Sequence, residues 1–206
     1  MYALVIDDTI TKYFSYPKGF TLGDNQYSAD IFMKWSVEEK EAIGIYEVVF
    51  DDSNKKDEQW YINTNQSFAF TDGVVTASYG TATAKAHADT TWSQDDEDDG
   101  DLPDDKSVGD VKVEGLKTQL IRTLKQQVAG ILANTDWYIT RNAEKSVAIP
   151  SAISTHRDAV RTKQAEMETA ITNASDTPAL ETLYTYTTDS DDVHSRPLGE
   201  LPVLEI

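Results

Sequence analysis

The chain has 206 residues, no cysteine and a formal charge of −18, with 18 Lys and Arg against 36 Asp and Glu. That length supports one or two modest domains with real cores. The lack of cysteine excludes a disulfide framework, a thiolate nucleophile and a thiolate metal site, in keeping with a cytoplasmic origin, while the negative field opposes nucleic acid and anionic membranes.

Tyr2–Ile6 and Ile10–Phe14 flank Asp7-Asp8-Thr9, a compact hairpin signal, so the opening reads as a first strand rather than a secretory leader with its basic start and long apolar block. Ser36-Val-Glu-Glu39 fits a capping box and Gly44 a stop, which predicts one short helix among the strands. Tyr46–Phe50 alternates strand formers. Trp60–Ile62 with Ser67–Phe70 predicts a further hairpin, and Thr71-Asp-Gly73 turns into Val74–Tyr79. Residues 95–105 then hold eight acids and no base, too charged and too poor in apolar side chains to fold alone.

Beyond Val113 the period changes. Leu116, Leu120, Leu124, Val128, Ile131 and Leu132 recur at helical spacing. A second helix is expected from Thr135, whose hydroxyl would cap it, with Asp136 in the first turn. Pro150 interrupts, and Ile153, Val160, Met167 and Ile171 form the next face, completed by His156, Ala159, Lys163 and Ala170. Thr177–Leu183 restarts a short helix with Pro178 at its first position. The fold class is therefore α+β. It comprises an antiparallel β-rich domain over 1–94, an acidic linker over 95–110, a helical hairpin module over 111–186, and an extended tail over 187–206 that is ordered only by docking. The stretch 106–174 carries ten bases against seven acids, the balance expected of a helical module laced with charge pairs or facing an acidic partner.

The chemistry-bearing patterns favour structural roles. Asp95, Glu97, Asp99 and Gly100 match four positions of a calcium loop, but Lys106 stands where a bidentate Glu is needed, and a solvated linker is the better reading. His87, His156 and His194 lie in separate segments without zinc spacing, and His156, beside Arg157, reads as a packing or surface residue. Asp136, Arg141, Glu144, Arg157 and Arg161 could be drawn as a phosphate or sugar site, yet their spacings are those of helix surfaces. They read better as a salt-bridge network across the Pro150 bend, with Trp137 as a buried anchor. The aromatic residues of the β-rich part read as core rather than as a sugar platform. No phosphate-binding or dinucleotide-binding glycine motif occurs, and neither cofactor, metal nor catalytic residue is expected.

Ile131-Leu132, Thr135-Asp136-Trp137, Arg141, Glu144, Ile149-Pro150, His156-Arg157 and Val160-Arg161 together form a pattern that resembles one near the C-terminus of tailed-bacteriophage tail and tail-fibre-associated proteins. The Met-Tyr-Ala-Leu-Val opening, and Trp35 and Glu38-Glu39 leading to Ile43–Val48, are similar to what precedes it there. The acidic stretch and His156, where Tyr is usual, depart from the pattern. The resemblance implies a non-enzymatic virion structural protein of the tail, made in the host cytoplasm, in a baseplate, fibre or fibre-attachment position. It implies packing on other tail proteins and on copies of itself, a trimer being one form, with neither nucleic-acid binding nor membrane insertion. A fibre assembly chaperone that leaves the finished particle is the alternative, and a glycan-binding or glycan-hydrolysing tail protein a second.

Overall fold

Alternation along the first strand decides the architecture of the N-terminal half. Strand β1 (Tyr2–Ile6) buries side chains on both faces: Leu4 joins a cluster with Phe14, Phe20, Ile31, Phe32 and Ile45, while Ala3 and Val5 join Val48, Val75 and Ala77. A strand covered on both sides belongs in the middle of a sheet. In the computed structural model, which describes residues 1–204, β1 lies between β2 (Thr9–Phe14) and β5 (Ile45–Asp51). The hairpin β3 (Phe20–Leu22) and β4 (Asn25–Tyr27) and the helices α1 (Ile31–Lys34) and α2 (Val37–Glu41) stand between β2 and β5 in the chain. The helices number two where one was expected. The Ser36 box forms as read: its hydroxyl accepts from the Glu39 amide, and the Glu39 carboxylate accepts from the Ser36 amide at 2.8 Å.

After β6 (Tyr61–Ile62), β7 (Gln66–Thr71) and β8 (Val74–Tyr79) complete a five-stranded sheet in the order β2-β1-β5-β8-β7. Asp7 and Asp8, and again Asp72 and Gly73, take positive φ, the two-residue turn that matches the twist of a hairpin. Antiparallel pairing holds for every neighbouring pair in this sheet but one, since β5 and β8 run parallel. The hairpin expected from Trp60–Ile62 does not form with β7, whose partner is β8. The sheet curls until Tyr13 of β2 and Phe68 of β7 meet with ring centroids 4.6 Å apart. Ala3 and Ala77, both fully buried, are small enough to let the enclosed face close tightly.

The chain divides into two compact units, Met1–Thr83 and Ala84–Ile206, ahead of the boundary expected at residue 94. Helix α4 (Leu116–Ala133) explains the shift. Its N-cap is Gly115, which has no capping side chain, and a Cβ there would lie 2.3 Å from the backbone of Ala88. The cap comes instead from Asp89, whose carboxylate accepts from the Gly115 amide at 2.7 Å and the Thr118 hydroxyl at 2.8 Å. The carbonyls of Ala86 and His87 accept the next two amides. Residues 86–89 are thus the N-terminal cap of a helix far along the sequence, and belong with it.

The acidic stretch is likewise no linker. The short strand β9 (Thr83–Ala84) is followed by β10 (Thr90–Thr91), which pairs with β11 (Val111–Val113) and closes the acidic segment into a loop. Within it α3 (Gln94–Asp98) is capped by Ser93 and Asp96, and Lys112 reaches Asp96 at 2.5 Å while lying 4.4 Å from the centre of the Trp92 ring. That clamp of cation, carboxylate and ring supplies the order that composition alone would not.

Helices α5 (Asp136–Lys145), α6 (Ser151–Asn173) and α7 (Thr177–Tyr184) follow. Asp176 caps α7, which places Pro178 second rather than first. Helix α6 packs on α4 and buries Ile153, Val160, Met167 and Ile171, as its periodicity predicts, together with His156 and Arg157. The tail forms a small hairpin, β12 (Thr187–Thr188) with β13 (His194–Ser195), and then returns to its own helical unit, burying Leu198 to 3% exposure. Its last two residues, Glu205 and Ile206, lie outside the described residues.

Candidate functional site

The α4–α5–α6 corner holds all eight residues singled out in the sequence. Helix α4 ends with unpaired carbonyls, as every helix does. The Leu132 carbonyl accepts from the amide of Asn134, the C-cap, and from the Thr135 amide at 3.0 Å, the Thr135 hydroxyl at 3.0 Å and Nη1 of Arg157 at 2.8 Å. Nη1 also donates to Thr135 Oγ1 at 2.6 Å and pairs with Asp136 Oδ1 at 2.8 Å. The guanidinium is a C-terminal cap for α4, placed where the helix dipole favours a cation. It is 7% exposed, and its Nε is buried with no hydrogen-bond partner.

Two expectations are corrected here. Thr135 does not cap α5 through its side chain; its hydroxyl points back to the helix that has just ended and ties it to α6. Trp137 is not a buried anchor: it is 51% exposed, its ring tilted against that of Tyr138 with centroids 3.8 Å apart, and the Arg141 guanidinium lies 5.7 Å from its ring centre. Helix α5 buries no residue at all. The salt-bridge network shrinks to one pair across the bend, Asp136 with Arg157. Arg161 pairs with Asp158 on its own helix, and among the described residues Arg141 and Glu144 form no ion pair. Pro150, read from the sequence as the break between two helices, is the N-cap of α6.

Two open clefts flank this corner. One of about 410 Å³ is lined by Trp137, Tyr138, Pro150, Ile153 and Leu204 among others. The second, of about 330 Å³, is lined by Ile131, Thr135, His156 and the tail residues Leu201–Leu204. Among the described residues neither has an Asp or Glu in its lining. Among the described residues no group of three His, Asp or Glu side chains is placed to hold a metal ion, and no helix is long and apolar enough to cross a membrane. The calcium-loop residues Asp95 and Glu97 lie on α3 instead.

Sequence reasoning missed the tail as a component of this corner. The available signal was the apolar, Pro-punctuated run Leu198–Leu204, whose side chains need cover. It also missed the burial of Arg157, since periodicity ranks positions by apolar character and gives no weight to a carbonyl in need of a donor. No protein-family model matches this chain, and no curated protein and no solved structure matches it at significance.

Proposed function

We propose that the chain is a structural protein of a bacteriophage tail, a baseplate, fibre or fibre-attachment component that acts by packing against other tail proteins and copies of itself, without enzymatic activity. The observation that carries this reading is α5: a helix that buries none of its residues yet presents Trp137 at 51% and Ile139 at 40% exposure. A helix that leaves large aromatic and aliphatic side chains at the surface instead of in its own core favours a protein partner. The resemblance of the same corner to tail-associated proteins points the same way. Among the described residues the two clefts are lined by apolar and neutral polar side chains, which favours packing over glycan hydrolysis, a reaction that needs a facing pair of acids.

The test is mass spectrometry of purified particles of the phage that encodes the chain. Tryptic peptides at a level stoichiometric with known tail components are expected. Their presence in infected cells but not in particles would overturn the structural role in favour of an assembly chaperone.

A further inference from the structure

The bend between α4 and α5 rests on a single residue. Asn134, the C-cap of α4, is still helical at φ −60° and ψ −18°, and α5 begins at Asp136. Thr135 alone departs, at φ −119° and ψ 3°. Neither glycine nor proline occurs from Ile131 to Ile149, so the sequence supplies no breaker of its own. The remaining cause of a sharp kink is a side chain inserted into the ladder of backbone bonds. In an unbroken helix the Leu132 carbonyl would accept from the Asp136 amide, four residues on. It receives instead the amide and hydroxyl of Thr135 and Nη1 of Arg157, and the same Nη1 holds the Asp136 carboxylate at 2.8 Å.

We infer that α4 and α5 are two halves of one helix, that Arg157 is the latch that bends it, and that releasing the latch straightens the chain into a continuous helix from Leu116 to Lys145. Helix α5 buries no residue, so swinging it forfeits little apolar contact. Straightening carries the inward stripe of α4 onward instead. Leu124, Val128, Ile131 and Thr135 are followed, at spacings of three and four, by Tyr138 and by Ile139, which is 40% exposed in the bent form. The connection to α6 is long enough to follow. Helix α6 runs antiparallel to α4, since Lys117 donates to the Thr172 carbonyl at one end and Arg157 to the Leu132 carbonyl at the other. At about 1.5 Å per residue, Ser151 stands about 9 Å beyond the level of Leu132, and Lys145 of a straight helix would stand about 20 Å beyond it. With axes about 8–10 Å apart the gap is about 15 Å, and the chain from Lys145 to Ser151 can span about 20 Å. The corner is thus a two-state element biased by one side chain, and a contact that draws Arg157 off Leu132 lengthens α4. This goes beyond the tail assignment and does not depend on it.

The chain has no cysteine, so two spin labels can be placed cleanly in the full-length protein through Gln126→Cys and Glu144→Cys, both at exposed positions. In a straight helix these sites share one face and lie about 27 Å apart, and any bend brings them closer. Double electron–electron resonance on this labelled parent should give the shorter distance, with the long one at or below about a tenth of the molecules. Adding Arg157→Met should raise a narrow peak near that long distance at least fivefold, with helix content by far-ultraviolet circular dichroism equal to the parent's or higher. An unchanged short distance in the folded variant would overturn the inference. A broad distribution without the long peak would also overturn it, since that marks a melted α5 rather than a straight one. Should Arg157→Met fail to fold, Thr135→Ala decides. It keeps the cation but removes the hydroxyl that joins Leu132 to Arg157, and it should raise the long peak at least twofold. No rise in that variant would overturn the inference equally.

Discussion

The curled sheet and the helical corner hold together by different means. In the sheet, β1 is buried on both faces by two separate apolar clusters, so cohesion is spread over many side chains that each contribute by area alone. At the corner, α5 buries nothing, and one guanidinium joins the end of α4, the start of α5 and the body of α6. Spread-out packing tolerates small changes of shape. A single buried cation with three oxygen partners does not.

The sharpest way to break the comparison is therefore to remove that cation. Arg157→Met keeps an unbranched apolar stem but leaves the Leu132 carbonyl without one of its donors and the Asp136 carboxylate without its partner. A loss of about 1.5–3 kcal/mol is expected, the range for hydrogen bonds made by a charged group, since Asp136, 58% exposed, is left to water. Urea denaturation followed by circular dichroism reads it, and Arg157→Lys should recover only part, because its ammonium sits one bond short of the position of Nη1, through which all three contacts run. Retention of wild-type stability by Arg157→Met would show that the corner is held by apolar packing after all.

A change of comparable delicacy in the sheet should be felt far less. Ile45, 1% exposed, belongs to the cluster between β1 and α1. Ile45→Val removes one methylene and should cost about 0.5–1.5 kcal/mol. A larger loss would mean that the two clusters are coupled more tightly than their separation across the sheet implies. Smaller again is Trp137→Ala. A buried anchor would cost about 3–5 kcal/mol; at 51% exposure the loss should stay below about 1 kcal/mol. The same substitution should disturb association of copies much more than folding, and thermal unfolding alongside light scattering separates the two.

How much could be read in advance follows the same division. Turns and caps whose partners are adjacent in sequence were legible: the Asp7-Asp8 and Asp72-Gly73 turns and the Ser36–Glu39 box each need only a few consecutive residues. So were the faces of α4 and α6, because periodicity is local. The parallel pairing of β5 with β8 was not, since it joins strands that are not consecutive. Nor was the capping of α4 by Asp89, which spans 26 residues with no spacing rule to announce it. Within the candidate site, the bend at Pro150 and the Asp136–Arg157 pair were within reach, whereas the roles of Thr135 and Trp137 came out reversed. The sequence shows a hydroxyl at a helix start and a large ring. Only the fold shows that the hydroxyl turns back to Leu132 and that α5 stands off the core.

The acidic loop provides the mildest test, and it asks whether charge can organise a segment that composition marks as disordered. Asp96 accepts from Lys112 Nζ at 2.5 Å and from the Ser93 amide at 2.9 Å. The hydrogen bond from Lys112, and after it the one from the Ser93 amide, hold its carboxyl down at about 2, against an ordinary value of 3.8. A carboxyl whose folded pKa lies below its unfolded one binds fewer protons when folded, so it favours the ordered loop at all pH values above about 4. That contribution fades as pH falls from about 4 towards 2 and is gone once the folded group is protonated. The carboxyl resonance of Asp96 should therefore titrate with a midpoint near 2, and amide exchange in residues 92–113 should quicken across that interval before the rest of the chain responds. Asp96→Asn should abolish the pH dependence of the loop and leave it loosened at neutral pH, with α4 and α6 unaffected. A midpoint at the ordinary aspartate value would mean that the clamp with Lys112 contributes nothing in solution, and that the pairing of Thr90 and Thr91 with Val111–Val113 closes the loop unaided.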